Sequence, residues 1–282
     1  MATEVQRIEV DRGGIQWHRS PWWLVAIIGF LGLMLLLILT NEDYRRAFDF
    51  IRGGFGDVSG LEGSGLEGLI GAGITVTIYT TLVAFGIALI VGLLAGLGRV
   101  SQNVVIRNVA ITYIEFIRGV PTLVLIFTVA YVIVPAVADA IGISGQSISP
   151  ATRGIVALAT IYGAFLAEVF RAGIESVPHG QTEAARSLGL NGGQAMRYVI
   201  LPQAIRNVLP ALGNDFIAML KDSSLISVLA VRDITQQARL YAGSTFRFRE
   251  SYLVLTFLYL TMTIVLSLGL RWYERRLHQD AR

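Results

Sequence analysis

Asn214, Asp215, Lys221, Asp222, Ser223 and Ser224 stand in a stretch that is otherwise apolar from about Val208 to Val231. A seven-residue spacing sets Asn214 under Lys221 and Asp215 under Asp222 on adjacent faces of one helix. Charges of both signs beside an amide and hydroxyls can line a wet path for a zwitterionic solute or relay a proton. They can equally brace a subunit interface or a helix break. Lys221 is the only lysine, and no G-x-x-x-x-G-K-[ST] precedes it, so the chain has no phosphate-binding loop of its own. The absence of cysteine excludes disulfides, thiol catalysis and thiolate metal sites. His18, His179 and His278 lie in separate polar segments with no ligand spacing, so neither a metal site nor a catalytic residue is expected. Gly71 and Gly73 lack the strand and helix context of a dinucleotide fingerprint.

The composition sets the medium around these residues. Of 282 residues, 54% are hydrophobic and 15% charged, against about 45–50% and about 25% in soluble domains, and the mean hydropathy is +0.60. Most of the chain is therefore solvated by lipid. A net charge of +3 with dispersed arginines excludes a nucleic-acid surface.

The apolar runs predict an all-α, polytopic membrane bundle of about six transmembrane helices. Trp22 to Leu39 is free of charge and flanked by Arg19 and Asn41-Glu42-Asp43. It is longer than the apolar region of a signal peptide and has no small-x-small cleavage site after it, so it reads as a retained span. Residues 43–68, acidic and rich in glycine, read as a loop rather than packed structure. The second run, about Leu69 to Leu97, carries Gly86, Gly92 and Gly96, residues small enough for helix backbones to approach closely in lipid. The third, about Val120 to Val137, follows an amphipathic segment from Val104 to Ile117. Spans four to six run from about Gly154 to Phe170, Val208 to Val231 and Tyr252 to Trp272. Placing both termini and residues 98–119 and 171–207 in the cytoplasm puts about 14 basic residues inside against about 8 outside, with Arg232, Arg239, Arg247 and Arg249 among the external ones.

Between the fourth and fifth spans lies a polar, helix-forming segment, residues 175–206. Glu183 to Leu188 favour helix, Gly189 and Asn191-Gly192-Gly193 break it, and Gln194 to Ile200 start a second helix that Pro202 is expected to interrupt. Here the chain resembles the permease subunits of ABC importers, whose cytoplasmic signature is E-A-A-x3-G-x9-I-x-L-P. Glu183, Ala184, Ala185, Gly189, Leu201 and Pro202 fall in register, with Val199 at the isoleucine position. Three further runs resemble the polar amino-acid permeases of that family: Glu115-Phe-Ile-Arg118-Gly119-Val-Pro121, Glu168-Val-Phe-Arg171-Ala-Gly173, and Lys221-Asp222-Ser223-Ser224-Leu225. Glu115 with Arg118, and Glu168 with Arg171, stand at i,i+3 and are read as structural pairs rather than substrate contacts.

The resemblance covers about Gly71 to Trp272 and implies a type I ABC importer permease fold. It divides the chain into residues 1–68, a cytoplasmic segment with an additional first span and external loop; 69–275, the permease domain with its coupling loop at 175–206; and 276–282, a cytoplasmic tail. It also implies a multi-pass protein of the bacterial cytoplasmic membrane, carrying a polar amino acid. The implied partners are a second permease copy, identical or related, ABC ATPase subunits holding ATP and Mg, and an extracytoplasmic solute-binding protein. Two other readings compete. One is an ion-coupled secondary transporter using Asp215, Lys221 and Asp222 as a relay, disfavoured by the lack of an inverted repeat. The other is a structural anchor, which leaves the polar fifth span unexplained.

Overall fold

The computed structural model describes residues 22–53 and 72–279. These are almost entirely helical: α1 (Trp22–Thr40), α2 (Glu42–Arg52), α3 (Ile74–Arg99), α4 (Val104–Gly119), α5 (Thr122–Thr128), α6 (Val134–Ala140), α7 (Pro150–Glu175), α8 (His179–Ser187), α9 (Gly192–Ala195), α10 (Leu201–Asp222), α11 (Ile234–Thr245) and α12 (Phe248–Gln279). Helices close every backbone hydrogen bond within the segment, which is what a lipid solvent demands.

Among the described residues four helices are long and apolar enough to cross a membrane: α3, α5 with α6, α7, and α12 over Phe248–Tyr273. The first expected span, α1, passes only together with α2, from which it is bent by 103°. α10 has the length, 22 residues or about 33 Å at about 1.5 Å per residue, but is too polar to pass. The number of membrane helices is thus roughly the six expected, with α10 the least apolar of them. The fifth also begins at Leu201 and ends at Asp222, giving way to a 3-10 turn over Ser223–Leu229, rather than running from Val208 to Val231.

The packing rests on α3 against α7. A methyl built on Gly92 would lie 2.6 Å from the Leu166 Cβ, and one on Gly96 2.9 Å from the Phe170 Cβ. From the other side, one on Gly163 would meet Val91 at 2.7 Å. Gly86, expected to serve the same contact, faces open space. Around this pair the main core gathers Ile126 and Val129, Leu158, Ile161 and Leu166, and Met219 and Ile226. The Tyr113 hydroxyl of α4 donates to the Thr160 carbonyl of α7 at 2.5 Å.

Residues 43–52, read as loop, are helical instead. Tyr44, Ala47 and Ile51 recur at i, i+3 and i+7 and are buried. Asn41 caps the helix by accepting from the Asp43 N–H at 2.9 Å, and Glu42 and Asp43 suit its first turn. α2 lies on α11 and α12, forming a second core of Met34, Ile38, Tyr44, Ile51, Ile234 and Val254, and Asp43 pairs with Arg247. The rest of the loop reading, at 54–68, falls outside the described residues.

Pro135, Pro202 and Pro210 sit inside long helical paths without ending them, the first two each behind a π turn. A π turn over Val129–Ile133 precedes Pro135, and one over Met196–Ile200 precedes Pro202. Proline has no N–H and its ring clashes with the carbonyl four residues back. A wider i to i−5 turn, with Val134 N–H to Val129 O and Leu201 N–H to Met196 O, relieves that clash. The expected break at Pro202 is therefore a π turn within a path that continues from α9 into α10.

Leucine at Gly92 should overpack the α3–α7 contact at a cost of about 1–3 kcal/mol or more, whereas leucine at Gly86 should change stability by less than about 0.5 kcal/mol. Thermal melts of the two purified variants in one detergent check this; equal melting temperatures would disprove the assigned contact.

Candidate functional site

The polar segment folds into a short hairpin of helices at the end of the bundle where α3 and α7 finish. α7 ends at Glu175, so the loop proper is residues 176–200, shorter than the 175–206 expected. α8 closes with a Schellman motif: Gly189 N–H donates to Arg186 O at 2.9 Å and Leu190 N–H to Ala185 O at 3.2 Å. The motif requires a left-handed residue, and Gly189 has φ +84°. The E-A-A-x3-G spacing is thus a helix end written in sequence, with Ala185 as the buried contact and glycine where the chain reverses. Asn191 then caps α9 by a reciprocal box, accepting from Gln194 N–H at 2.9 Å while the Gln194 side chain accepts from Asn191 N–H at 3.0 Å.

The hairpin turns its signature outward. Glu183, Ala184 and Gly189 are exposed, and Leu188 is 83% exposed at the tip. Neither Glu183 nor Arg186 forms an ion pair among the described residues. Beneath, Ile174, Val177, Ile200 and Ala204 form a small core with Leu97 and Val100 from the end of α3. Leu201 is half-buried at the head of α10, and Pro202 beside it is exposed. A displacement of the hairpin is thereby passed to three spans at once.

An ionic chain lies beside this core. Arg99, closing α3, contacts Glu168 of α7 and lies 3.9 Å from Glu115 of α4. Arg171 pairs with Glu168 at 3.0 Å and also with Glu175. The expected Glu168–Arg171 contact is present, but Glu115 turns to Arg99 rather than to Arg118. Arg118 is exposed and has no ion-pair partner among the described residues. The guanidinium of Arg99, already seated on Glu168, competes for Glu115 better than the solvated Arg118 does. No local spacing signals a partner 69 residues away.

The six polar residues of the fifth span do not share one environment. Asn214 and Lys221 are exposed, with Asn207 and Ala211 on the same helical face, and Asn214 donates to Pro210 O at 3.1 Å. Asp215 and Asp222 are half-buried toward α7. Asp222 accepts from the Tyr162 hydroxyl at 2.8 Å, and Asp215 acts electrostatically on the same group. Tyr162 was not anticipated. Ser224 and Lys221 open onto a cavity of about 440 Å³ with Thr235 and Tyr259. Ser223 is wholly buried, its hydroxyl donating to Leu220 O at 2.7 Å, and is unavailable to a solute. At the hairpin end, a cavity of about 590 Å³ lies between α7 and α10 and includes Ser176, Arg206 and Asn207. Among the described residues no group of acidic, histidine or cysteine side chains could hold a metal ion.

The family described as "Binding-protein-dependent transport system inner membrane component" matches residues 88–279, which include the hairpin and the polar span. The chain belongs to this family. Relatives include a probable amino-acid permease protein of Bacillus subtilis, 36% identical over 73% of this chain and 90% of its own length. The glutamine transport system permease protein of Escherichia coli is 35% identical over 73% and 91%. The histidine/lysine/arginine/ornithine permease protein of the same organism is 34% identical over 75% and 94%. Among solved structures, an amino acid ABC transporter with histidines is 42% identical, with a TM-score of 0.64 over 72% of this chain and 92% of that one. A subunit of a methionine ABC transporter in an inward-facing state, 20% identical with a TM-score of 0.61 over 73% and 94%, shares the fold. The type I importer permease fold expected from the sequence is thus the fold of this family member. The family is a transport component and not an enzyme, and the ion-coupled alternative finds no support among these relatives.

Removing the Arg99 charge by Arg99→Gln should lower stability by about 1–3 kcal/mol, because Glu168 and Glu115 lose a shared partner that is only 22% exposed. Arg118→Gln should change it by less than about 0.5 kcal/mol. Melting temperatures of the two variants in detergent read the contrast; equal losses would refute the ionic chain.

Proposed function

We propose that the chain is a membrane subunit of an ATP-driven, binding-protein-dependent importer of polar amino acids, in the cytoplasmic membrane of a bacterium. The observation that carries this reading is the Schellman-capped α8, which presents Glu183, Ala184 and Leu188 outward on a base rooted in α3, α7 and α10. Such a compact, exposed helix suits the groove of a separate ATPase, which holds ATP and Mg and whose rigid-body movement it passes to the spans. Glu183, Ala184, Ala185, Gly189, Leu201 and Pro202 form this coupling element. The excess of basic residues on its side supports a cytoplasmic position for it.

The transport path is assigned to the exposed stripe of α10. Asn207, Asn214 and Lys221 are too polar to face lipid. A second permease copy, identical or related, covers that stripe and encloses a wet passage. Asp222, bonded by the Tyr162 hydroxyl, and Asp215 lie behind it, and Ser224 lines its outer mouth. A solute-binding protein delivers the cargo at the opposite end from the hairpin. An amino-acid cargo is supported by the activities named for the relatives. Residues 69–275 constitute the permease domain and 276–282 a cytoplasmic tail, while 1–68 are an addition, of which α1 and α2 pack on α11 and α12.

In proteoliposomes containing the ATPase and the liganded binding protein, Gly189→Asp should abolish ATP-driven uptake while the subunit still inserts. Gly189→Asn, which tolerates the left-handed conformation better and adds no charge, should retain more activity. Normal uptake by Gly189→Asp would sink the coupling assignment. Lys221→Met should reduce uptake at least about tenfold, equivalent to about 1.4 kcal/mol, while ATPase stimulation persists; unchanged uptake would remove Lys221 from the path.

A further inference from the structure

The end of the bundle opposite the hairpin carries a surface that the transport path does not use. α11 starts at the outer mouth of that path, where Thr235 lines the cavity shared with Lys221 and Ser224. Its 12 residues carry the chain about 18 Å away from the mouth, at about 1.5 Å per residue. There Phe246 turns it toward α12. Phe246 N–H donates to Ala242 O at 2.9 Å, and Phe246 itself lies in the left-handed region with φ +59°. That cap position favours glycine, because a Cβ is crowded there. Phe246 is also 81% exposed, so packing within the chain does little to offset the strain.

Apolar groups and cations share this surface. Phe248 is exposed beside Phe246, and Phe50 of α2, also exposed, lies against Tyr241 of α11 with ring centroids 5.3 Å apart. Across α2, α11 and the start of α12 every carboxylate is already committed. Glu42, Asp43, Asp49 and Glu250 pair with Arg46, Arg247, Arg52 and Arg249, and Asp233 is buried. Arg45 and Arg239 are exposed and form no ion pair among the described residues. Lipid does not account for this combination. α12 is free of charge over the twenty residues from Ser251 to Leu270, about 30 Å, which already matches a hydrocarbon core of about 30 Å. Phe246 to Glu250 therefore stand outside it. The apolar side of α2, with Tyr44, Ala47 and Ile51, is taken up by protein rather than by lipid.

We propose that the α11–α12 tip and the outer face of α2 form a docking surface for an acidic region of the solute-binding protein, with Phe246 as its aromatic anchor and Arg45 and Arg239 as its charged rim. This surface takes that partner only if the chain is a subunit of a binding-protein-dependent importer, as read above. Large aromatics anchor protein interfaces, while rim charges speed encounter and set its salt dependence. A partner that releases cargo at the mouth of the path has to cover ground next to it, and α11 joins the mouth to the tip. α2 precedes the family match at residues 88–279, so the additional segment enlarges the docking surface of this chain.

The test uses proteoliposomes holding the full-length subunit and the ATPase, titrated with the cognate solute-binding protein loaded with cargo. Phe246→Gly should raise the half-saturating concentration of binding protein at least about fivefold. Arg45→Gln combined with Arg239→Gln should raise it at least about threefold, a difference that fades at high salt. In detergent, Phe246→Gly should melt at the wild-type temperature or above it, since glycine relieves the left-handed strain, and the double arginine variant should melt with the wild type. Half-saturation unchanged by either variant, with a wild type that saturates normally, would overturn this docking surface alone. A wild type whose uptake ignores the binding protein would overturn the importer reading as well. Lower melting of either variant would assign these side chains to the fold instead. A defect that follows replacement of phosphatidylglycerol by phosphatidylcholine, and not the amount of binding protein, would assign them to lipid and likewise overturn the proposal.

Discussion

The approach of α3 and α7 at backbone distance is the contact on which the other elements are hung. In lipid no hydrophobic effect drives helix against helix, so association depends on dispersion at short range, and that range is reached only where side chains are absent. Gly92 with Gly163, and Gly96 one turn on, provide it at two levels. The contact aligns the ends of the two helices so that Arg99 meets Glu168. It also sets Tyr162 of α7 facing α10, where it holds Asp222. Gly173 of α7 then lets α10 settle, with Val208 filling the space a side chain would occupy.

The two ends of the bundle are built on different chemistry. At the hairpin end, charges are paired in a chain running through Glu115, Arg99, Glu168, Arg171 and Glu175, partly exposed and tolerant of movement. At the other end, the junction of α3, α11 and α12 is closed by neutral hydroxyls, backbone bonds and Asp233, all sequestered. A transporter that receives work at one end needs a compliant ionic linkage there and a firmer pivot away from it. The π turns before Pro135 and Pro202 fit the same division, keeping the helical paths continuous where force must travel while relaxing the clash that proline imposes.

Much of this was legible without coordinates, because lipid imposes rules that are local. Apolar runs of the required length gave helices, small residues gave close contacts at Gly92 and Gly96, and the E-A-A-x3-G register gave the α8 end with its obligatory glycine. The misreadings have physical causes. α2 was hidden because its charged residues outweigh the apolar ones in composition, although Tyr44, Ala47 and Ile51 kept a helical period. Pro202 was read as a break because proline breaks helices in isolation, whereas a π turn costs less than ending a path that packing holds in place.

The sequence by itself determined the medium, the helical class, the position of the polar hairpin and the lack of a G-x-x-x-x-G-K-[ST] loop, since each depends on residue type and spacing along one segment. Only the tertiary structure decided which polar residues meet. It gave Glu115 to Arg99 instead of Arg118, set Tyr162 against Asp222, buried Ser223 and left Asp233 with an unpaired oxygen. Those outcomes depend on the distances and angles at which separate helices pack, and partners as far apart as Thr77 and Ile234, 157 positions along the chain, are matched by geometry that no local pattern records.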